Sequence, residues 1–128
     1  MLFFCVCLIT ISVKAQREFE MTEGDSTYTM KRYVFMHLLA GANRSQDSTE
    51  AAQLQVKHLK HLTKMAQSGK LAMAGPFSDG GEYRGLLIFD VETIAEAEEL
   101  EGKDPMIQAG RLKMHSLYWW AAKGTSLP

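Results

Sequence analysis

HLKHLTKMAQSGKLAMAGP, residues 58–76, holds a helix end, a strand and a turn in one run. Nothing up to Ser68 breaks a helix, and Gly69 stands where helices stop. Lys70 to Pro76 then reads as a short strand that closes on Gly75-Pro76. Proline has no N–H with which to continue a sheet ladder, so the chain turns there.

Reading upstream, Asp47 or Ser48 can cap the helix, because a short oxygen-bearing side chain satisfies its free N–H groups. At about 100° per residue, Ala52, Val56, Leu59, Leu62 and Ala66 share one stripe, expected to be the buried one. Lys57, Lys60, Lys64 and Gln67 point away from it. Before the helix, residues 41–45 form a loop. Lys31 to Ala40, KRYVFMHLLA, is apolar on both alternating sets, which suits a central strand.

Reading downstream, Ser78-Asp79-Gly80-Gly81 makes a turn, and Tyr83 to Val91 makes a strand. Thr93 can cap a second helix through Leu100. Gly102-Lys103-Asp104-Pro105 interrupts it, Met106 to Ala109 adds a turn, and Leu112 to Ala122 is the last strand. The order β-α-β-β-α-β implies an α+β, ferredoxin-like fold with an antiparallel sheet and both helices on one face. The other face has no helix to cover it. It is expected to carry some of Tyr33, Phe35, Leu87, Phe89, Tyr118 and Trp120, and to pair with a second copy as a dimeric α+β barrel.

The 128 residues suit one domain, and a composition of 46% hydrophobic and 23% charged residues suits one core. A net charge of -1 gives no global field for nucleic acid. Both cysteines, Cys5 and Cys7, lie in the apolar run Leu2–Val13, which is too short for a spanning helix of about 20 residues. That run, followed by Val13-Lys14-Ala15, reads as a signal peptide over residues 1–15, cleaved before Gln16. No Lys or Arg precedes the run, a departure from the usual pattern. The expectation is an exported chain, periplasmic or extracellular, with no membrane attachment once cleaved. Residues 16–30, polar and without a period, read as a flexible lead-in to a domain over residues 31–124.

Several motifs resemble those of YCII-related proteins. They are His58-Leu59-Lys60-His61-Leu62, Gly69-Lys70-Leu71 and Ala74-Gly75-Pro76, together with Asp104-Pro105 followed by a short helix and Gly110. The resemblance spans about Arg32 to Lys123. It implies the dimeric ferredoxin-like fold and an active site built from His58 and Asp104. It also implies lyase- or isomerase-like chemistry on small cyclic organic molecules, with no metal or nucleotide cofactor.

On the helix wheel His58 sits about 100° from Leu59, at the edge of the expected buried stripe, where a side chain can face a crevice. Histidine ionises near neutral pH and can serve as general acid or base. Asp104 can orient it, or the two can form a plain structural bond between helix and loop. His61, three residues on, is expected to be solvated. A His-x-x-His pair alone lacks the third protein ligand a metal needs, so no metal site is expected. Gly75, Pro76 and Ser78 are candidates for substrate contact, and Tyr83 and Arg84 for an anionic group. His37 and His115 in strands can line a pocket or be half-buried. Trp119 and Trp120 must point to opposite sheet faces.

No phosphate loop, nucleophile elbow or dinucleotide glycine set occurs. Two functions stay open: a cofactor-free enzyme with a His58–Asp104 pair acting on a small molecule, and a non-catalytic dimeric domain that binds a small ligand.

Overall fold

In the computed structural model, residues 16–128 are described; the expected signal segment, residues 1–15, lies outside the described residues. The elements are β1 (Glu18–Glu23), β2 (Ser26–Ala40), α1 (Ser48–Gln67), β3 (Leu71–Pro76), β4 (Tyr83–Phe89), α2 (Ile94–Glu101), α3 (Pro105–Gln108) and β5 (Leu112–Ala122). β2 is the central strand. It pairs antiparallel with β5 along one side and with β4 along the other, and β3 pairs with β4 outside that. The order β5-β2-β4-β3, with the helices on one face, is the ferredoxin-like arrangement that the element order implied.

The lead-in requires a correction. Residues 16–30 are not a loose segment: β1 and the first part of β2 form a hairpin in register from Glu18↔Lys31 to Glu23↔Ser26. Gly24, at φ 60°, stands first in the two-residue turn, where a II′ hairpin calls for glycine. Thr22, Thr27 and Thr29 suit a two-stranded ribbon with little burial, because β-branched residues favour extended backbone. Asp90, just past β4, fastens the hairpin to the sheet. Its two oxygens accept from Arg17 Nη2 at 2.7 Å and Lys31 Nζ at 2.8 Å.

Strand alternation sorts the core. Val34, Met36 and Leu38 of β2 and Leu87 and Phe89 of β4 face the helices and are at most 3% exposed. Met65, Ala97 and Met106 pack on them from the helices. Leu87 and Phe89 are therefore core, not open-face, residues. Tyr33 and Phe35 do lie on the open face, beside Leu117 and Trp119 of β5. Trp120 points to the other side, its ring edge-on to Phe19 at 4.9 Å, and the Tyr118 hydroxyl accepts from the Ile94 N–H at the start of α2.

α1 begins with a capping box. The Glu50 N–H donates to Asp47 Oδ1 at 2.8 Å, and the Asp47 N–H donates to Glu50 Oε2 at 3.0 Å. It ends in a Schellman closure, with the Gly69 N–H on the Ala66 carbonyl and the Lys70 N–H on the Met65 carbonyl. Its buried face differs from the expected stripe. His58 and Met65 are buried, with Ala51, Leu54, His61 and Leu62 half-buried around them, while Val56 and Leu59 are exposed. Two histidines occupy positions that apolar counting leaves to leucine, because buried carboxyl groups wait across the interface.

Candidate active site

Those carboxyl groups come from the α2–α3 junction. Gly102-Lys103 ends α2, and Asp104 then caps the four-residue α3, its Oδ1 accepting from the Met106 N–H at 2.9 Å. Pro105 occupies the first helical position, where its missing N–H costs nothing. The cap fixes the Asp104 carboxylate, and its other oxygen, Oδ2, meets Nδ1 of His58 in a direct buried hydrogen bond. Asp104 is fully buried and His58 is 8% exposed.

Burial alone would push the Asp104 carboxyl up. Hydrogen bonds from His58, Glu101 and the Met106 N–H outweigh burial and hold it below the usual carboxylate range. An ionised Asp104 requires a proton on His58 Nδ1, and in the neutral imidazole Nε2 is then the acceptor. Nε2 has no hydrogen-bond partner among the described residues, and His58 borders a cavity.

Glu101 lies beside the pair, fully buried, with no donor to either carboxylate oxygen among the described residues. A neutral carboxyl resolves this, since its O–H can donate to Asp104. Burial first, then the Asp104 hydrogen bond and charge, push Glu101 up to about 9. His61 is turned inward, not solvated, with Nε2 3.6 Å from Glu101 Oε2. Burial keeps its imidazole below the ordinary histidine range, partly opposed by the charge of Asp104. Two pairs with the same spacing, His58/His61 and Glu101/Asp104, thus face each other.

Candidate ligand atoms of His58, Glu101 and Asp104 all lie within 4.8 Å of one another. These three donors are a candidate set for a divalent cation, and His61 is not one of them. Two ligands on one tetrahedral metal stand roughly 3.4 Å apart. His58 and Asp104 touch directly, so a metal would have to part them and strip the proton from Glu101.

The cavity is about 800 Å³, lies between α1, β3, β4 and the start of β5, and is of a size for a small organic ligand. Its walls include Leu38, Leu59, Leu62, Leu71, Phe77 and Met106, and Gly75 and Pro76 lie along its β3 side. Ser78 is exposed in the next turn and is not among the lining residues. Arg84 lines the cavity, whereas Tyr83 lies on the opposite sheet face, edge-on to His37, and reaches the cavity-wall residue Phe77 only at the sheet edge, with ring centroids 6.2 Å apart. His37 and His115 are cross-strand neighbours on that open face, with ring centroids 6.2 Å apart, and neither lines the cavity.

Sequence reading missed Glu101, Arg44 and Arg111. For Glu101 a signal exists: a Glu-x-x-Asp pair matching the His-x-x-His spacing. The arginines are brought in by a backbone clasp. The Gly41 N–H donates to the Arg111 carbonyl at 2.8 Å, and the Asn43 N–H to the Gly110 carbonyl at 2.9 Å. A Cβ on Gly41 would lie 2.1 Å from the Gly110 oxygen, so this clasp requires glycine.

The family model of the YCII-related domain matches residues 34–120, from within β2 to near the end of β5. No curated protein sequence matches the chain. Among solved structures, the fold is similar to that of 5-chloro-2-hydroxyhydroquinone dehydrochlorinase from Burkholderia phenoliruptrix, determined in complex with 2,5-dihydroxybenzoquinone. The identity is 18%, the TM-score is 0.47, and the match covers 67% of this chain and 90% of that one.

Proposed function

The chain belongs to the YCII-related family, and we propose that it is a small-molecule enzyme in which His58 moves a proton on a substrate held in the cavity. The observation that carries this reading is the buried His58–Asp104 bond behind a ring nitrogen with no partner among the described residues. Nε2 takes a proton from a carbon or hydroxyl made acidic by a nearby carbonyl. The imidazolium is then stabilised by Asp104, which orients it without itself taking the proton. Returning that proton to another atom of the substrate completes an isomerisation, and giving it to a leaving group completes an elimination. Gly75 and Pro76 shape the β3 wall against which the substrate rests, without supplying a charged group.

The test is hydrogen–deuterium exchange. Small cyclic ketones and quinols are incubated with the chain in D2O and followed by proton NMR. Catalysed exchange that falls about 10²–10⁴-fold in His58→Gln supports the reading. Bound compounds that neither exchange nor react would leave a ligand-binding domain in its place.

Two further elements belong to the same proposal. The open sheet face, with Tyr33, Phe35, Leu117 and Trp119, supports pairing with a second copy, since an apolar face of this kind gains from burial. The apolar run Leu2–Val13 supports export, in which case the mature chain begins at Gln16. A different first residue on N-terminal sequencing would sink that last point.

A further inference from the structure

Three arginines from three separate segments line the cavity that His58 borders: Arg44 in the loop after β2, Arg84 at the start of β4, and Arg111 just before β5. None has a carboxylate partner among the described residues. Arg44 Nη1 donates to the Arg111 carbonyl at 2.8 Å, and Arg111 Nη1 donates to Gln46 Oε1 at 3.1 Å. Both of these are neutral acceptors, so they fix the guanidinium groups without cancelling their charge. Arg84 makes no side-chain hydrogen bond among the described residues, and its Nε is buried without a partner.

Arg44 is exposed and Arg84 and Arg111 are half-buried, so the cost of leaving the cavity without a ligand falls on the unpartnered Nε of Arg84. A guanidinium has five donors in a fixed fork, and a buried donor without an acceptor loses its hydration for nothing. Like charges add to the cost: after burial, the nearby Arg111 and Arg84 both weaken the hold of Arg44 on its proton. The carboxyl groups of the site cannot compensate. Asp104 lies behind His58, engaged by that ring and by α3, and Glu101 is neutral behind it. The cavity therefore presents uncompensated positive charge beside apolar walls.

We propose that the substrate is a small cyclic carboxylate, whose anionic group is held by Arg84 and Arg111, with Arg44 alongside, while its apolar ring lies against Leu62 and Phe77 within reach of His58. This rests on reading the His58 cavity as the substrate site, and it adds the charge and shape that the site selects. A guanidinium matches a carboxylate in bidentate geometry. A carboxylate attached to a ring also anchors the molecule away from the reacting atom, so binding and proton transfer use different groups.

The experiment is calorimetric titration of the full chain with benzoate, benzamide and inorganic phosphate. Benzoate and benzamide share size and ring and differ in charge, whereas phosphate has the charge without the ring. Benzoate is expected to bind at least about tenfold more tightly than either, a gap of about 1.4 kcal/mol. Arg84→Gln and Arg111→Gln should each remove most of that advantage while the thermal midpoint of unfolding stays near that of the wild type. His58→Gln should leave the advantage in place, which separates anion selection from proton transfer. Equal binding of benzamide overturns the proposal. So does equal binding of phosphate, or an advantage that survives both arginine substitutions. If benzoate keeps its advantage while the His58 ring resonances of the wild type do not respond to it, the anion site stands and the acid–base reading of the cavity falls.

Discussion

Asp104 bonds His58 through one carboxylate oxygen and caps α3 through the other. One buried side chain thus sets both the orientation of the imidazole and the start of the segment that leads into β5. Replacing it acts on function and stability together. Asp104→Asn keeps an oxygen for the Met106 N–H but turns an amide N–H toward His58 Nδ1. The ring must then change tautomer or lose the bond. Urea unfolding is expected to show a loss of about 1–3 kcal/mol, the cost of a buried polar group left unsatisfied. Asp104→Ala removes the cap as well and is expected to cost more, about 3–5 kcal/mol. A neutral effect of both substitutions would mean that the pair contributes little to the fold.

Glu101 gives the protein an unusual dependence on pH. Its folded-state carboxyl is pushed up to about 9 from an ordinary 4.5. The folded protein therefore holds this proton more tightly than the unfolded chain does. The resulting stability is fully present below pH 4.5 and is lost as pH rises to about 9. Denaturation of wild type across that window should show a declining contribution, with a slope of at most about 1.4 kcal/mol per pH unit. Glu101→Gln, which cannot ionise, should flatten the decline and gain relative to wild type at the alkaline end. Parallel pH curves for the two proteins would contradict a neutral buried Glu101.

Asp90 has the opposite sign. Burial would raise its carboxyl, but Lys31 and Arg17 hold it below the ordinary carboxylate range. Its contribution is present above the unfolded value of 3.8 and is lost as pH falls through the lower folded value. These ion pairs are partly exposed, so Asp90→Asn is expected to cost about 1 kcal/mol at neutral pH. The difference from wild type should shrink on acidification below that range, and proteolysis within β1 should quicken in the variant. An unchanged rate of cleavage would show that the hairpin is held by its backbone ladder alone.

The open sheet face predicts self-association. Leu117 and Trp119 are 48% and 41% exposed, and Trp119 sits edge-on to Phe35 at a ring distance of 5.7 Å. Leu117→Lys places a charge in the middle of that face without touching the helix side. Sedimentation should show a dimer for the wild type and a monomer for the variant. A wild-type monomer at all concentrations tested would leave the face to another partner.

The element order was legible in sequence because each boundary has its own local chemistry. Asp47 and Thr93 cap helices, Gly69 closes one, and Asp104-Pro105 starts another. The hairpin of Glu18–Lys31 was not read from the sequence: Phe19 and Met21, opposite Met30 and Tyr28, do alternate with polar residues, but the two runs are short and largely polar, and the ribbon buries little. The buried face of α1 was misread for a related physical reason. Periodicity counts apolar side chains, but His58 and His61 are drawn inward by Asp104 and Glu101, groups more than thirty residues away in sequence. His58 and Asp104 came from motif resemblance, which the structure places in contact. Arg44 and Arg111 carry no local signal, because only the Gly41–Arg111 and Asn43–Gly110 backbone bonds bring their segments together.

The central claim is that Asp104 holds His58 with its Nε2 free to act as a base. Long-range nitrogen–proton NMR on histidine-labelled protein tests this most directly. The structure leads us to expect His58 protonated on Nδ1, with a strongly downfield proton that disappears in Asp104→Asn, and an unprotonated Nε2 that shifts when a ligand fills the cavity. A His58 protonated on Nε2 at neutral pH, or an Nδ1 proton indifferent to Asp104→Asn, would contradict it.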